Sequence, residues 1–355
     1  MNFLYKKLVR DLLFKFDPET VHDAMIKSVG TLQDMSAAAR AIELIARSRD
    51  LPVTVAGIRF KNPIGLAAGF DKNCEAPRIL SKIGFGFLEL GTVTLRPQVG
   101  NPRPRMFRAR EHKGIINRLG FNNAGAYEAA RKLERLLPVG IPVGLNIGKN
   151  ADCSLDDAPK NYLEALKTLY PYGDYFTLNV SSPNTLRLRE LHNKERLSRL
   201  IGPVLDFIAG ASVKKPLFIK IAPDLEEAEL NEVAETALQN NLGLIATNTT
   251  VRRDHLPEMW RSCEGGLSGV PLRDLSNETL RKLAKLTGGR VPLIGVGGIF
   301  DGPSAVQKFR LGADLIQVYS GLIYEGPLLV KNILTYMEKM KFSPARNKET
   351  EKQAG

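Results

Sequence analysis

Eight short, almost wholly apolar runs, separated by amphipathic stretches, restrict what this chain can fold into. They read PIGLAAGF (63–70), FGFLELGTV (85–93), PVGLNIGK (142–149), YFTLNVSS (175–182), LFIKIAP (217–223), GLIATNTT (243–250), PLIGVGGI (292–299) and LIQVYSGLI (315–323). A strand with one wet face alternates polar and apolar residues, whereas a run that is apolar throughout belongs to a parallel strand covered on both faces. The intervening stretches, such as AGAYEAARKLERLLPVG and EEAELNEVAETALQNN, carry helical periodicity. Strand and helix alternating to a count of eight predict a closed (β/α)8 TIM barrel, an α/β fold.

Nearly every run ends in polar or glycine-rich residues: Asp71-Lys72, Gly91-Thr92, Asn146, Asn179, Lys220, Asn248, Gly297-Gly298 and Tyr319-Ser320. Glycine and asparagine also end strands as turn formers, which accounts for one or two such positions. A full ring of them predicts the catalytic face, since barrel sites form at the carboxyl ends of the strands. Two longer excursions, at about 95–125 and 250–275, are rich in Arg, Gly and Asn and suit lids over an anionic ligand. Ahead of the barrel, LPVTVAGIRFKNP (51–63) reads as a hairpin able to plug its bottom.

The N-terminal segment differs in kind. On a helical wheel Leu4, Tyr5, Leu8, Val9, Leu12, Leu13 and Phe16 share one face, Lys6, Lys7, Arg10 and Asp11 lie opposite, and Phe3 and Phe14 are left exposed. Asp17-Pro18 is an N-cap and first-turn pair for a second helix, on which His22 falls among Met25, Ile26 and Val29. Two readings stand level on these residues. One is a helical hairpin packed on the barrel with a satisfied histidine; the other is an interfacial helix pair forming a mouth for a lipid-soluble ligand. The expected organisation is an N-terminal segment at 1–45, a barrel at 46–340 and a disordered tail at 341–355.

Composition narrows the field. With 43% hydrophobic and 25% charged residues the chain resembles a soluble enzyme, and it has no run of about 18 apolar residues that would span a membrane. A signal-peptide core is interrupted by Lys6, Lys7, Arg10 and Lys15, so any membrane association is expected to be peripheral. The net charge of +12 is spread without a basic run longer than a pair, which argues against a nucleic-acid partner. Cys74, Cys153 and Cys263 are odd in number and far apart, pointing away from a disulfide framework and toward a reducing compartment.

Gly297-Gly298 and Ser320-Gly321, with Ser268-Gly269 as a third arm, supply the backbone N–H groups of a barrel phosphate site. Asn117, Asn122, Asn123, Asn146, Asn179, Asn184 and Asn248 offer uncharged donors and acceptors suited to planar heterocycles, though at least two should be turn formers only. Lys72 and Lys220 end apolar runs, where an ammonium is costly unless it meets an anion or an electron-rich ring. His22, His112, His192 and His255 have no metal-ligand spacing, and Ser268 lacks the frame of a hydrolase nucleophile. The residues by themselves point to a phosphate-bearing, flavin-type cofactor and a small planar anionic substrate.

The segments AAGFDK (67–72), INRLGFNN (116–123), NVSSPNT (179–185), KIAPD (220–224), ATNTT (246–250), GGLSG (265–269), GVGGI (295–299) and YSG (319–321) resemble the dihydroorotate dehydrogenase family in content and order. The leading helices, with PETVHDAM (18–25), resemble its class 2 members, which are membrane-associated and use quinone. That resemblance implies oxidation of dihydroorotate to orotate through FMN in de novo pyrimidine synthesis. It puts FMN against Ala68, Gly69, Phe70, Asp71, Lys72, Thr92, Asn146, Asn179, Lys220, Thr247, Ser268, Gly269, Gly298, Tyr319 and Ser320. The substrate would meet Lys72, Asn117, Arg118, Leu119, Gly120, Phe121, Asn179, Asn184, Asn248 and Thr249, with Ser182 as the base that takes the C5 proton. His22 and Arg108 match positions lining the quinone tunnel, and Leu12 and Ile323 would tune it. The resemblance also implies a peripheral protein on the cytoplasmic side of a bacterial inner membrane. The alternatives are a class 1 enzyme using fumarate or NAD, disfavoured because neither 181 nor 182 is cysteine, and another FMN barrel oxidoreductase.

Overall fold

In the computed structural model, which describes residues 5–254 and 256–344, the eight apolar runs form one closed barrel. Its strands are β3 (Ile64–Leu66), β4 (Phe87–Thr94), β7 (Val143–Gly148), β8 (Tyr175–Asn179), β9 (Leu217–Ile221), β10 (Gly243–Ala246), β12 (Leu293–Val296) and β13 (Leu315–Val318), all parallel, with β13 closing on β3. Each is buried along its length, as double coverage demands. Outside, amphipathic helices supply the second layer. Helix Ala126–Leu136 turns Ala126, Ala129, Ala130, Leu133 and Leu136 inward, the stripe of a one-faced helix.

The plug forms as expected. Strands β1 (Val53–Val55) and β2 (Ile58–Phe60) pair antiparallel through a two-residue turn in which Ala56 and Gly57 both take positive φ, as the twist of a tight hairpin requires. Val53, Val55 and Phe60 then pack on Phe87, Tyr175, Phe218, Ile245, Ile294 and Leu315, sealing the barrel floor. A site can therefore open only at the other end.

At that end the two excursions do more than cover. They contribute β5 (Met106–Ala109), β6 (Gly114–Asn117) and β11 (Gly266–Gly269), which join in one antiparallel sheet in the order β11-β6-β5. This lid sheet was not evident from the sequence, because its strands are four residues each and pair across distant segments.

The N-terminal segment departs from the wheel. Tyr5–Val9 winds with the wider i→i+5 repeat before a single α turn, Arg10–Leu13. With the wider turn Tyr5 and Leu13 face inward, Val9 edges the same side while still 45% exposed, and Leu8, Leu12 and Phe16 are more than half exposed. Phe14, expected outside, is buried against Tyr324 at 5.3 Å between ring centroids. Phe3 and Leu4 lie outside the described residues, as does His255 and the expected tail beyond Pro344. Helix Pro18–Leu32 starts where the Asp17-Pro18 pair put it, with the Asp17 carboxylate accepting the Thr20 N–H at 2.8 Å. A further helix, Ser36–Ala46, completes the segment. Pro18–Leu32 packs on the helix Pro77–Leu80 and on β5, Ser36–Ala46 packs on the short helix Ser81–Ile83, and a short irregular helix precedes both.

Candidate active site

The carboxyl ends of the barrel strands open into a cavity. Its floor is a polar network built around one fully buried acid, Glu89 of β4. The Glu89 carboxylate accepts from Gln317 Nε2 at 2.6 Å, Asn146 Nδ2 at 2.7 Å and the Tyr175 hydroxyl at 3.2 Å. Asn146 Oδ1 accepts the Thr92 hydroxyl at 2.6 Å, and Asn179 Nδ2 donates to Thr92 Oγ1 at 3.1 Å. Asn248 Nδ2 closes the chain onto Asn179 Oδ1 at 3.2 Å and Ser181 Oγ at 2.9 Å. Five barrel strands or their ends are thereby tied into one rigid donor and acceptor surface.

Lys220 ends β9 on this surface. It is buried, and burial lowers its pKa while the Glu89 charge opposes that shift. No described residue hydrogen-bonds its ammonium, so the charge is presented to the cavity. Gln317 Oε1 is likewise buried on the cavity wall without a partner. Above them lie Gly269, Gly297 and Gly298, all at positive φ, and the Ser268 and Ser320 hydroxyls at 2.9 Å from each other.

Ser182 follows β8 on a loop that leaves it 6% exposed, with its Oγ accepting the Asn184 N–H at 3.3 Å. Asn184 reaches across to the Asn117 carbonyl at 3.0 Å, tying this loop to the lid sheet. Arg189 braces it from behind, donating to the Ser181 carbonyl at 3.2 Å, the Thr249 carbonyl at 3.0 Å and Asp224 at 2.8 Å. Thr185 is buried on the same loop, and its hydroxyl has no partner among the described residues.

A second cavity lies between the N-terminal helices and the barrel. Its lining is apolar apart from a few groups, among them His22 and Arg108. His22 stacks edge-on against Phe70 at 5.2 Å, and Phe70 against Tyr319 at 5.6 Å. Burial and the nearby Lys72 charge push the His22 pKa down to about 3. Arg108 sits 4.5 Å over the Phe14 ring and donates to the Phe16 carbonyl at 2.9 Å. Met106, Ile115 and Tyr319 line both cavities, so the polar and apolar chambers share a wall.

The dihydroorotate dehydrogenase family model matches residues 50–340. The chain belongs to the dihydroorotate dehydrogenase family. A dihydroorotate dehydrogenase (quinone) of Cellvibrio japonicus is 47% identical over 334 residues, 91% of this chain and 95% of the relative. One of Myxococcus xanthus is 45% identical, over 92% of this chain and 91% of the relative. The DHODH of Eimeria tenella, solved in complex with ferulenol, superposes with a TM-score of 0.83 at 33% identity, covering 95% of this chain and 97% of that one. Matches of this extent cannot be confined to the barrel.

Of the positions that the family motifs single out, Ala68, Gly69, Lys72, Thr92, Asn179, Lys220, Thr247, Ser268, Gly269, Gly298, Tyr319 and Ser320 line the polar cavity. So do Asn117, Leu119, Gly120, Phe121, Ser182, Asn184, Asn248 and Thr249. Asn146 lies one hydrogen bond behind the wall. Three positions fall elsewhere. Asp71 is fully buried and its carboxylate accepts the Glu75 and Ala76 N–H groups at 2.8 and 2.9 Å, bracing the loop after β3. Phe70 faces the apolar chamber instead. Arg118 points away, donating to the Pro104 carbonyl at 3.0 Å and to Glu264 at 3.0 Å. Asn122 and Asn123 also lie off the cavity wall, and Asn123 Oδ1 accepts the Gly125 N–H at the turn. Glu89, Gln317 and Arg189 were not anticipated. The signal for the first two was a single polar residue inside an otherwise apolar strand run.

Proposed function

We infer that this chain is a quinone-dependent dihydroorotate dehydrogenase, which oxidises dihydroorotate to orotate in de novo pyrimidine synthesis and passes the electrons to quinone. One observation carries the reading: a polar chamber and an apolar chamber back onto the same Tyr319, Met106 and Ile115 wall, in a chain whose relatives are named for quinone. A small polar substrate and a long apolar acceptor can each have their own chamber, with a redox group between them. The class 1 alternative, with fumarate or NAD as acceptor, has no use for the apolar chamber.

FMN fits the polar chamber on three counts. The unpartnered Gln317 Oε1 suits an imide or amide N–H of a flavin ring. The unpaired Lys220 ammonium suits the electron-rich edge of such a ring. The Gly269, Gly298 and Ser320 backbone, with the Ser268 hydroxyl, suits a terminal phosphate. When bound, FMN supplies a two-electron acceptor for the substrate hydride.

The chain's own groups do the rest. Asn117, Asn184 and Asn248, held by the lid and by Arg189, would bind the alternating carbonyl and N–H edges of the pyrimidine ring. Lys72 would meet its carboxylate. Ser182 would take the C5 proton. A neutral hydroxyl is a weak base, so the proton needs a relay, for which the buried Thr185 hydroxyl, without a partner among the described residues, is a candidate. His22 and Arg108 would contact the quinone ring in the apolar chamber.

We also propose peripheral association with the cytoplasmic face of the inner membrane. Among the described residues no helix is long and apolar enough to cross a membrane. Leu8, Leu12, Phe16, Met35, Leu44 and Ile45 are exposed on the same N-terminal elements that enclose the apolar chamber, an arrangement suited to interfacial docking. Dihydroorotate oxidation measured in parallel with quinone, fumarate and NAD, with and without lipid vesicles, tests the reading. Turnover with quinone, enhanced by vesicles, is expected; turnover only with fumarate or NAD would exclude it.

A further inference from the structure

Lys308 stands directly behind the glycine turn that ends β12, and no ion pair among the described residues accounts for it. It lies on helix Gly302–Arg310 and is 1% exposed. Its ammonium donates to Ser276 Oγ at 2.6 Å, and Ser276 in turn donates to the Val296 carbonyl, the last of β12. A methyl group placed on the next residue, Gly297, would come within 2.9 Å of that Ser276 hydroxyl. On the same side, Arg273 Nε donates to the Gly298 carbonyl at 2.7 Å. Ser276, Arg273 and Lys308 therefore back the Gly297-Gly298 turn, whose front faces the polar cavity.

Burying an ammonium against a hydroxyl alone is unfavourable, and an apolar side chain of similar length would fill the same space without that cost. The charges that bear on it are both on helix Arg273–Thr287: Arg273, which works with burial to push its pKa down to about 7, and Asp274, which opposes them. With its pKa at about 7 the ammonium stays fully charged near neutrality only if an anion faces it, and the far side of the turn, where low-dielectric surroundings lend a charge long reach, is where one would act.

We propose that Lys308 is a positioning residue for the terminal phosphate of the flavin cofactor, holding the anion at the Gly297-Gly298 turn from behind through Ser276. The inference rests on the FMN reading given above. It differs from a packing role in what it acts on: the charge bears on the phosphate and not on the ring.

The test compares FMN with riboflavin, which has the ring but no phosphate. Flavin release from the full-length holoenzyme is followed by recovery of free-flavin fluorescence on dilution. Rebinding of each flavin to the released chain is then titrated, for wild type and Lys308→Met. Wild type should prefer FMN. Lys308→Met should weaken FMN by at least about tenfold, with riboflavin affinity unchanged. Lys308→Gln, which keeps a hydrogen bond to Ser276 without the charge, provides the same comparison should the Met variant fold poorly. Equal weakening of both flavins, or of neither, overturns the proposal. If wild type itself shows no preference for FMN, the phosphorylated-flavin reading falls and takes this inference with it.

Discussion

Replacing Glu19 with alanine should loosen the N-terminal helices from the lid by a predictable amount. Glu19 sits in the first turn of Pro18–Leu32 at 2% exposure, facing Arg105 at 7%. Arg105 Nε donates to both carboxylate oxygens at 3.1 Å and Nη2 donates at 2.7 Å, while Arg103 adds a bond at 3.0 Å. Without the carboxylate, Arg105 keeps only the Val99 and Asn101 carbonyls, at 2.7 and 2.6 Å, and its charge is left uncompensated. Breaking a buried pair from one side costs about 3–5 kcal/mol, against about 1 or less for an exposed pair. The two surviving carbonyl bonds place this case near the lower end, about 3 kcal/mol. With a urea dependence of about 3 kcal/mol per molar, the unfolding midpoint should fall by about 1 M. Acid provides a second check. Burial raises the Glu19 pKa, but the Arg105 hydrogen bonds and charge, helped by Arg103, outweigh it and leave the carboxyl below its usual value. A depressed folded-state pKa gives stability that is complete above the unfolded value, about 4.3, and is lost as pH falls through the folded one. The gap between wild type and variant should thus be constant near neutrality and close on acidification. Coincident midpoints at neutral pH, or a gap that acid leaves untouched, would refute the reasoning.

Ser182→Ala should still bind orotate but reduce flavin about 10²–10⁴ more slowly in stopped flow, the usual worth of a general base; a near wild-type rate removes Ser182 from the proton transfer. Lys220→Met removes a cavity-lining ammonium that no described residue hydrogen-bonds and should slow flavin reduction and weaken flavin retention, whereas a fully loaded, normally active variant would make Lys220 structural. Because burial and Lys72 hold His22 near 3, its imidazole is neutral throughout pH 5–8 and contributes no charge change there. The pH profile of flavin reoxidation by quinone should therefore have the same shape in wild type and His22→Gln, and an inflection present only in wild type would contradict this.

The barrel was legible because parallel strands leave a plain mark: an apolar run closed by polar residues, as in YFTLNVSS and LFIKIAP. The plug was legible for a similar local reason, two alternating strands flanking Ala56-Gly57. What escaped was non-local. Glu89 and Gln317 are each one polar residue in an apolar run, and they gain meaning only when barrel closure brings them to 2.6 Å. Asp71 stood at a strand end like its functional neighbours, yet a side chain turned one way binds a ligand and turned the other braces a loop. The wheel for the first helix assumed 3.6 residues per turn, and the wider turn at Tyr5–Val9 took Leu8, Leu12 and Phe16 off the inward side while Tyr5, Val9 and Leu13 stayed on it.

The lid sheet has a consequence for how this enzyme can be altered. Gly266 to Gly269 lie opposite Asn117 to Gly114, so each excursion supplies the hydrogen-bonding edge of the other. Grafting the 95–125 segment of a relative without its 250–275 counterpart would set foreign side chains against Leu267 and Ser268 and strand both edges. The two insertions behave as one exchangeable cassette despite their separation in the chain. Chimeras that carry both should assemble, and those that carry either alone should lose the roof over the polar chamber.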